Sequence, residues 1–365
     1  MEYKLIEPWV EEELPIGTLV PEYIEKIALD VVKHYDFSLS SMEVMATKPE
    51  RGGAIWKIET SKGPKSLKLL HRRPLRSLFV LEVQDYLVKE KKARIPAIVR
   101  TKDGEMHVMA GGKVWFVAEW IEELTPVQED LEGLKMLCRS MADFNMLTRG
   151  LVPSKDVDYK VKIHKWPKKY KKIVDKLGWF RNIANAYRDM PASPLILDVI
   201  DEFQEDAKRA YERLITSPEY RSLVAKGPFY WGLVHQDFGF SNSQMGPGGM
   251  WVIDLDGIAY DFPIRDLRKL ISSTMADKSS WDVETVREMI KAFHEQNPIS
   301  KEMYELLLID LSLPNDFYKD LKEMVYEPEI FLNEETAAMI EQLVKAEKSK
   351  WAVLNEIKKD WAGVK

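Results

Sequence analysis

The stretch LVHQDFGFSNSQMGPGGMWVIDLDG, residues 233–257, constrains this chain more than any other. An apolar, strand-like entry from Tyr230 to Val234 delivers His235, and the loop after it carries Asp237 and Asn242 in the spacing H-x-D-x-x-x-x-N. MWVIDLDG reads as a second short strand ending in Asp254 and Asp256, with MGPGG as the turn between the two. A hairpin of this kind brings one end of each strand to a shared edge. An isolated D-x-D is most often a solvated turn or a loop cap, so the weight lies on the joint pattern.

Hard divalent cations take oxygen ligands, commonly one or two carboxylates completed by phosphates and water. Asn242 and Asp254 make such a pair. Asp237 is then left to orient a hydroxyl and accept its proton, the division of labour that phosphoryl transfer requires.

Upstream, PEYIEKIALDVVKHYD (21–36) has Ile24, Ile27, Ala28, Val31 and Val32 at helical spacing, with Pro21 suited to a first turn. EVMAT, AIWKIET and KSLKLL are rich in strand formers and separated by PERGG and SKGP, which predicts an antiparallel meander. LRSLFVLEVQDYLVKE then carries Leu75, Leu78, Phe79, Val83, Tyr86 and Leu87 as the stripe of an amphipathic helix, with Glu82 on that stripe. A carboxylate turned toward a core needs a cation or several donors, and Lys68, in a strand between Leu67 and Leu69, is the expected partner. VWFVAEWI (114–121) predicts a buried strand, and helical patterns dominate from about Gln128. The expected boundary near Glu122 gives a nucleotide-binding lobe over 1–121, with its leading helix, and a helical lobe over 122–365 that holds the catalytic loop and acceptor site.

At 365 residues the chain exceeds ordinary single-domain size. With 53 Lys and Arg against 59 Asp and Glu, the net charge of -6 offers no global attraction to nucleic acid or to an anionic membrane. The single cysteine, Cys138, sits in an apolar helical pattern and is expected to be a buried free thiol. An acidic N-terminus without a signal pattern and the lack of any apolar run of transmembrane length predict a soluble, cytoplasmic protein. His34, His71, His107, His164 and His294 show no metal-ligand spacing. HKWPKKYKKIVDK, around residues 164–176, is locally basic; it could hold an anionic acceptor or an acidic protein, and the expectation is a solvated helix face.

These motifs resemble the aminoglycoside phosphotransferase and choline kinase branch of the protein-kinase-like superfamily, whose pattern is H-G-D-x-x-x-x-N followed by I-D-(F/W)-(D/E). Within it the likeness is to CotS-family spore-coat proteins of endospore-forming bacteria. It is carried by LFVLEVQDYL, IPAIVRTKDGE, KWPKKYKK, SPEYRSLV, HQDFGFSN, VIDLDG and DFPIRDLRKLI, over about residues 44–272.

The resemblance implies an α+β, two-lobe protein-kinase-like fold: an N-terminal antiparallel sheet with a helix, then a mainly helical lobe. It implies ATP and Mg²⁺ as cofactors. Lys68 would contact the α and β phosphates, with Glu82 its helix partner. Backbone groups of Glu119 and Ile121 would meet adenine, and Gly52 and Gly53 would stand in for an absent G-x-G-x-x-G loop. Asp237 would be the base, Asn242 and Asp254 the metal ligands, His235 a prop of the catalytic loop, and Asp266 its brace. Gln236 replaces the commoner glycine of H-G-D. The implied activity is phosphate transfer to a hydroxyl acceptor, a small molecule, with spore-coat proteins as further partners and the spore coat as a second location. The alternative is a catalytically silent kinase-fold scaffold of that coat.

Overall fold

The computed structural model describes residues 3–360. The chain forms two compact units. The first comprises Met1–Val127, Leu151–Lys160 and Phe240–Ile258; the second comprises Gln128–Gly150, Val161–Gly239 and Ala259–Lys365.

The first unit is built on a six-stranded antiparallel sheet of β1 (Leu39–Lys48), β2 (Gly53–Thr60), β3 (Lys65–Leu69), β4 (Ile98–Val99), β5 (Val108–Ala110) and β6 (Lys113–Glu119). Its order is β1-β2-β3-β6-β4, and β5 pairs with β6. The meander expected from the turn signals is present, and β6 inserts beside β3 with Lys68 opposite Phe116.

Alternation along β6 explains why this strand reads as unbroken apolar sequence. Trp115 and Val117 join one core with Trp56, Leu67 and the helix Glu22–Val32, which contributes Ile24, Ile27 and Val31. Val114, Phe116 and Ala118 join a second core with Leu70 and Leu81, the latter from the helix Pro74–Lys89. Successive strand residues point to opposite faces, so a sheet covered on both sides needs apolar residues at every position. Trp56 and Trp115 stack with centroids 5.6 Å apart. Each such fully buried side chain contributes about 1.5–3 kcal/mol through burial.

The helix Pro74–Lys89 departs from the expected stripe. Leu75 is exposed, while Arg76, Ser77 and Gln84 are buried beside Phe79, Leu81, Val83 and Leu87. Polar groups sit in this face because backbone carbonyls meet them there: Arg76 donates to Ile258 O, and Gln84 Nε2 donates to Pro96 O at 2.7 Å. Hydrophobic spacing carries no trace of such partners.

The second unit is helical around a minimal sheet. Trp166–Ala186 packs along Ser193–Thr216, and Leu131–Leu147 along Val283–Gln296. Cys138 is buried, and burial raises its thiol well above the usual range. Leu233–Val234 pairs antiparallel with Ala259–Tyr260.

That pairing corrects the expected hairpin. Tyr230 lies in a short helical turn, Pro228–Trp231, and the strand covers only Leu233–Val234. Gly232 permits the break: its φ is +75°, and a Cβ there would lie 2.8 Å from Thr148 Oγ1. The MGPGG turn instead closes a separate hairpin in the first unit, Ser243–Gly246 against Gly249–Val252. Pro and Gly clusters mark a turn reliably, but not which strands it joins.

Candidate active site

Five of the residues singled out in the sequence line one pocket of the first unit, with a volume of about 280 Å³: Lys68, Glu119, Ile121, Asn242 and Asp254. The rest of its wall is largely apolar, including Ala46, Ile55, Ile95, Leu124 and Ile253. Lys68 projects from β3, Glu119 ends β6, and Asn242 and Asp254 flank the Ser243–Val252 hairpin, where Ile253 N–H donates to Asn242 O at 3.0 Å. Glu119 gives its own side chain to Lys65 Nζ at 2.8 Å and its N–H to Ala97 O at 2.8 Å. Asp254 has φ +58°. A non-glycine residue in that region costs of order 1–2 kcal/mol and is most often found where function fixes the backbone.

Beside this pocket lies a narrow slot shared by Lys68 and Asp254 and lined further by Gly53, Lys48, His71 and Asp256. Gly52, at φ +65°, ends the Pro49–Arg51 turn before it. A Cβ at Gly53 would stand 2.9 Å from His71 Cβ, so no side chain fits there without displacing the segment that follows β3.

Lys48 Nζ is 3.8 Å from Asp254 Oδ2. Burial, and then the charges of Arg72, Lys48 and Arg51, pushes the His71 imidazole down to about 4, so its 3.5 Å contact with Asp256 is that of a neutral ring at pH 7. Burial, and then the charge of Asp254, pushes the Asp256 carboxyl up, against the pull of Lys68, Lys48 and Arg72. Lys48 and His71 were missed from the sequence. The one available signal was Lys48's place directly before the PERGG turn.

The expected pairing of Lys68 with Glu82 is not made among the described residues. Glu82 Oε1 accepts the Ser154 N–H at 2.8 Å. The reason is that residues 151–160 return to the first unit and bring a backbone donor to that carboxylate, a long-range event invisible to helical periodicity. Gln84 lines the pocket with Lys68 instead.

Asp237 and His235 belong to the second unit. His235 is fully buried, edge-on to Phe144 and Phe238 at 5.8 and 5.7 Å. Asp266, buried on the helix Ile264–Asp277, accepts the His235 N–H at 2.6 Å and the Gln236 N–H at 3.0 Å. These two bonds hold the loop while Gln236 adopts φ +76°, the conformation for which glycine is the ordinary choice. The Asp237 side chain is 79% exposed, and its Oδ1 lies 3.9 Å from Lys269 Nζ.

Asp237 opens into a cavity of about 670 Å³ within the second unit. Lys165 and Lys169 of the basic segment line it, whereas Lys171 pairs with Asp175 at 2.9 Å and Lys176 lies over Trp179 at 4.2 Å. The expectation of a wholly solvated face is therefore corrected: the N-terminal end of the helix faces this cavity.

Asp261 also lines the cavity while being itself buried, with Oδ1 accepting from Trp166 Nε1 at 2.7 Å and from Phe262 N–H at 2.9 Å. Burial pushes its carboxyl up to about 7, against those donors and Lys162. A carboxyl raised in the folded state takes up a proton on folding, so its contribution is most favourable below its ordinary 3.8 and is lost as pH rises toward 7. Asp261→Asn keeps the acceptor without the charge. It is expected to be more stable than wild type at pH 8 by on the order of 1–3 kcal/mol, with the difference shrinking toward pH 4. Urea unfolding at the two pH values checks this, and an advantage independent of pH would contradict it.

No protein-family model matches the chain. Spore coat protein S of Bacillus subtilis (strain 168) is 27% identical over 296 residues, 81% of this chain and 83% of that one. Among solved structures, an aminoglycoside phosphotransferase from Alicyclobacillus acidocaldarius superposes with a TM-score of 0.73 at 17% identity, covering 95% of this chain and 97% of the other. The chain is similar to spore coat protein S and has the fold of this phosphotransferase structure, a protein-kinase-like one. Further solved structures share that fold. The amicoumacin kinase hAmiN, solved with AMP-PNP, Ca²⁺ and Ami, has a TM-score of 0.60 at 13% identity over 89% of this chain and 93% of its own. A choline kinase from Cryptosporidium parvum has 0.53 at 13% identity over 90% and 96%. No helix among the described residues is long and apolar enough to cross a membrane.

Proposed function

We propose that this protein is an ATP- and Mg²⁺-dependent phosphotransferase acting on a hydroxyl acceptor. The observation that carries the reading is the convergence of Lys68, Asn242 and Asp254 with the β6 terminus, Glu119 and Ile121, in one largely apolar pocket. Apolar walls suit an adenine ring, and the polar end suits a polyphosphate.

Whether the residues fit a metal can be judged from their donors. Among the described residues no cluster of three or more His, Cys, Asp or Glu groups could cage an ion by itself. Mg²⁺ is ordinarily held by one or two carboxylates plus substrate phosphates, and the Asp254 carboxylate with the Asn242 amide oxygen is a donor set of that kind. Bound there, Mg²⁺ would supply charge neutralisation at the β and γ phosphates. Lys68 positions the remaining phosphates. The N–H of Glu119 being engaged, its carbonyl and the N–H of Ile121 are the groups assigned to the adenine edge, and the backbone around Gly52 and Gly53 approaches the phosphates closely. Asp237 orients the acceptor hydroxyl and takes its proton as the new oxygen–phosphorus bond forms and the bond to the β-phosphate oxygen breaks, releasing ADP. His235 and Asp266 fix the loop that presents Asp237.

One observation favours a second reading, a silent scaffold of the spore coat: Glu82 is engaged by Ser154, where protein kinases need the strand lysine paired with its helix glutamate. ADP release separates the two. Release that depends on both Mg²⁺ and an added hydroxyl compound supports the enzyme, and its absence across a broad acceptor panel supports the scaffold.

A further inference from the structure

The cavity into which Asp237 opens has a marked charge bias. Lys162, Lys165, Lys169, Lys269 and Lys319 all line it. Arg265 and Arg268 line it too, but both are tied to the buried Asp310, at 2.7 and 3.1 Å. Against these stand the carboxylates of Asp237, Asp316 and the buried Asp261, with Asp266 committed to the loop amides behind.

Asp310 offsets one of the two arginines, and beyond that network five lysines face three carboxyl groups. Lys162 and Lys269 reach Gln236, and Lys319 lies 3.7 Å from Asp320. The ammonium groups of Lys165 and Lys169 make no ion pair among the described residues. They sit four positions apart at the start of the helix Trp166–Ala186, Lys165 as the residue just before it and Lys169 in its first turn. At about 670 Å³ the space is that of a small-molecule site. A low-dielectric concavity lined by one sign of charge concentrates ligands of the other sign.

We infer that the acceptor is an anionic hydroxyl compound, a sugar or polyol that already bears phosphate or carboxylate, held by Lys165 and Lys169 with its free hydroxyl presented to Asp237. A cationic acceptor, such as an aminoglycoside or choline, would meet like charge in this cavity. The inference deepens the phosphotransferase reading and rests on it for the word acceptor, while the preference for anions stands on the cavity alone.

Calorimetric titration of the full chain with glucose 6-phosphate, glucuronate, glucose and choline tests it, the first two separating phosphate from carboxylate recognition. The expected result is that an anionic sugar binds at least about tenfold more tightly than glucose, with no measurable choline binding. Lys165→Glu/Lys169→Glu should weaken the anion by a further factor on the order of ten per cation, as for hydrogen bonds to charged groups. Raising salt from 50 to 500 mM should weaken it in wild type as well, a measurement that needs no variant to fold. Glucose or choline binding as well as glucose 6-phosphate, no anion binding at millimolar concentration, or anion affinity insensitive to both salt and charge reversal would overturn the inference. Anion binding without ATP binding would instead sink the phosphotransferase reading and leave the charge preference standing.

Discussion

Asp237→Asn is expected to lower phosphate transfer from ATP by about 10²–10⁴-fold, the usual cost of removing a general base. The substitution is nearly isosteric and the side chain is 79% exposed, so the fold should survive it. Lys68, Asn242 and Asp254 belong to the other unit, so protection of the protein by ATP should persist in the variant. A single measurement of ADP release at saturating ATP, with an acceptor that wild type uses, decides the point. Transfer at the wild-type rate would remove Asp237 from the chemistry.

The second large effect is one of stability. Asp310, on the helix Lys301–Ser312, is fully buried and accepts from Arg265, Arg268 and the hydroxyl of Tyr170, the last at 2.7 Å. Burial alone would push its carboxyl up, but the two guanidinium groups outweigh it and hold it below the ordinary carboxylate value. Asp310→Ala would leave two buried cations without a counter-charge, and breaking such a group typically costs about 3–5 kcal/mol. Arg265 and Arg268 flank Asp266 on one helix, so the damage should reach the loop that Asp266 holds. Urea unfolding of the variant checks the magnitude; a loss below about 1 kcal/mol would mean that the network is dispensable. Because the folded carboxyl is depressed, the stabilisation is present above the unfolded value and lost as pH falls through the folded one.

Much of the first unit was legible because its signals are local. The helix Glu22–Val32, the three meander strands and β6 each announce themselves by their own periodicity and by the turn residues between them. The MGPGG turn between Asn242 and Asp254 was legible for a similar reason, although the strand that leads into it, Ser243–Gly246, was not.

What escaped was set by contacts distant in sequence. Glu82 met a backbone amide delivered by residues 151–160 rather than a lysine, and Leu233–Val234 found its partner at Ala259–Tyr260 rather than across the MGPGG turn. In the basic segment, spacing alone shows that Lys165, Lys169, Lys172 and Lys176 share one face and Lys168 and Lys171 another. It does not show which face meets a cavity. Gln236 is instructive too: its identity breaks the H-G-D pattern, and only the backbone, at φ +76°, shows why glycine is usual there.

The central claim is that the first unit binds ATP through a metal on Asp254. It is tested most directly by the thermal midpoint of the purified protein with ATP, with and without Mg²⁺, in wild type and in Asp254→Asn. Asparagine tolerates the left-handed backbone at this position, so each protein can be compared with its own unliganded midpoint. A ligand at a hundredfold excess over Kd adds about 2.7 kcal/mol of stability. The account predicts an upward shift that requires Mg²⁺ and is largely lost in the variant. No shift at millimolar ATP, or the same shift without Mg²⁺ and in Asp254→Asn, would contradict it.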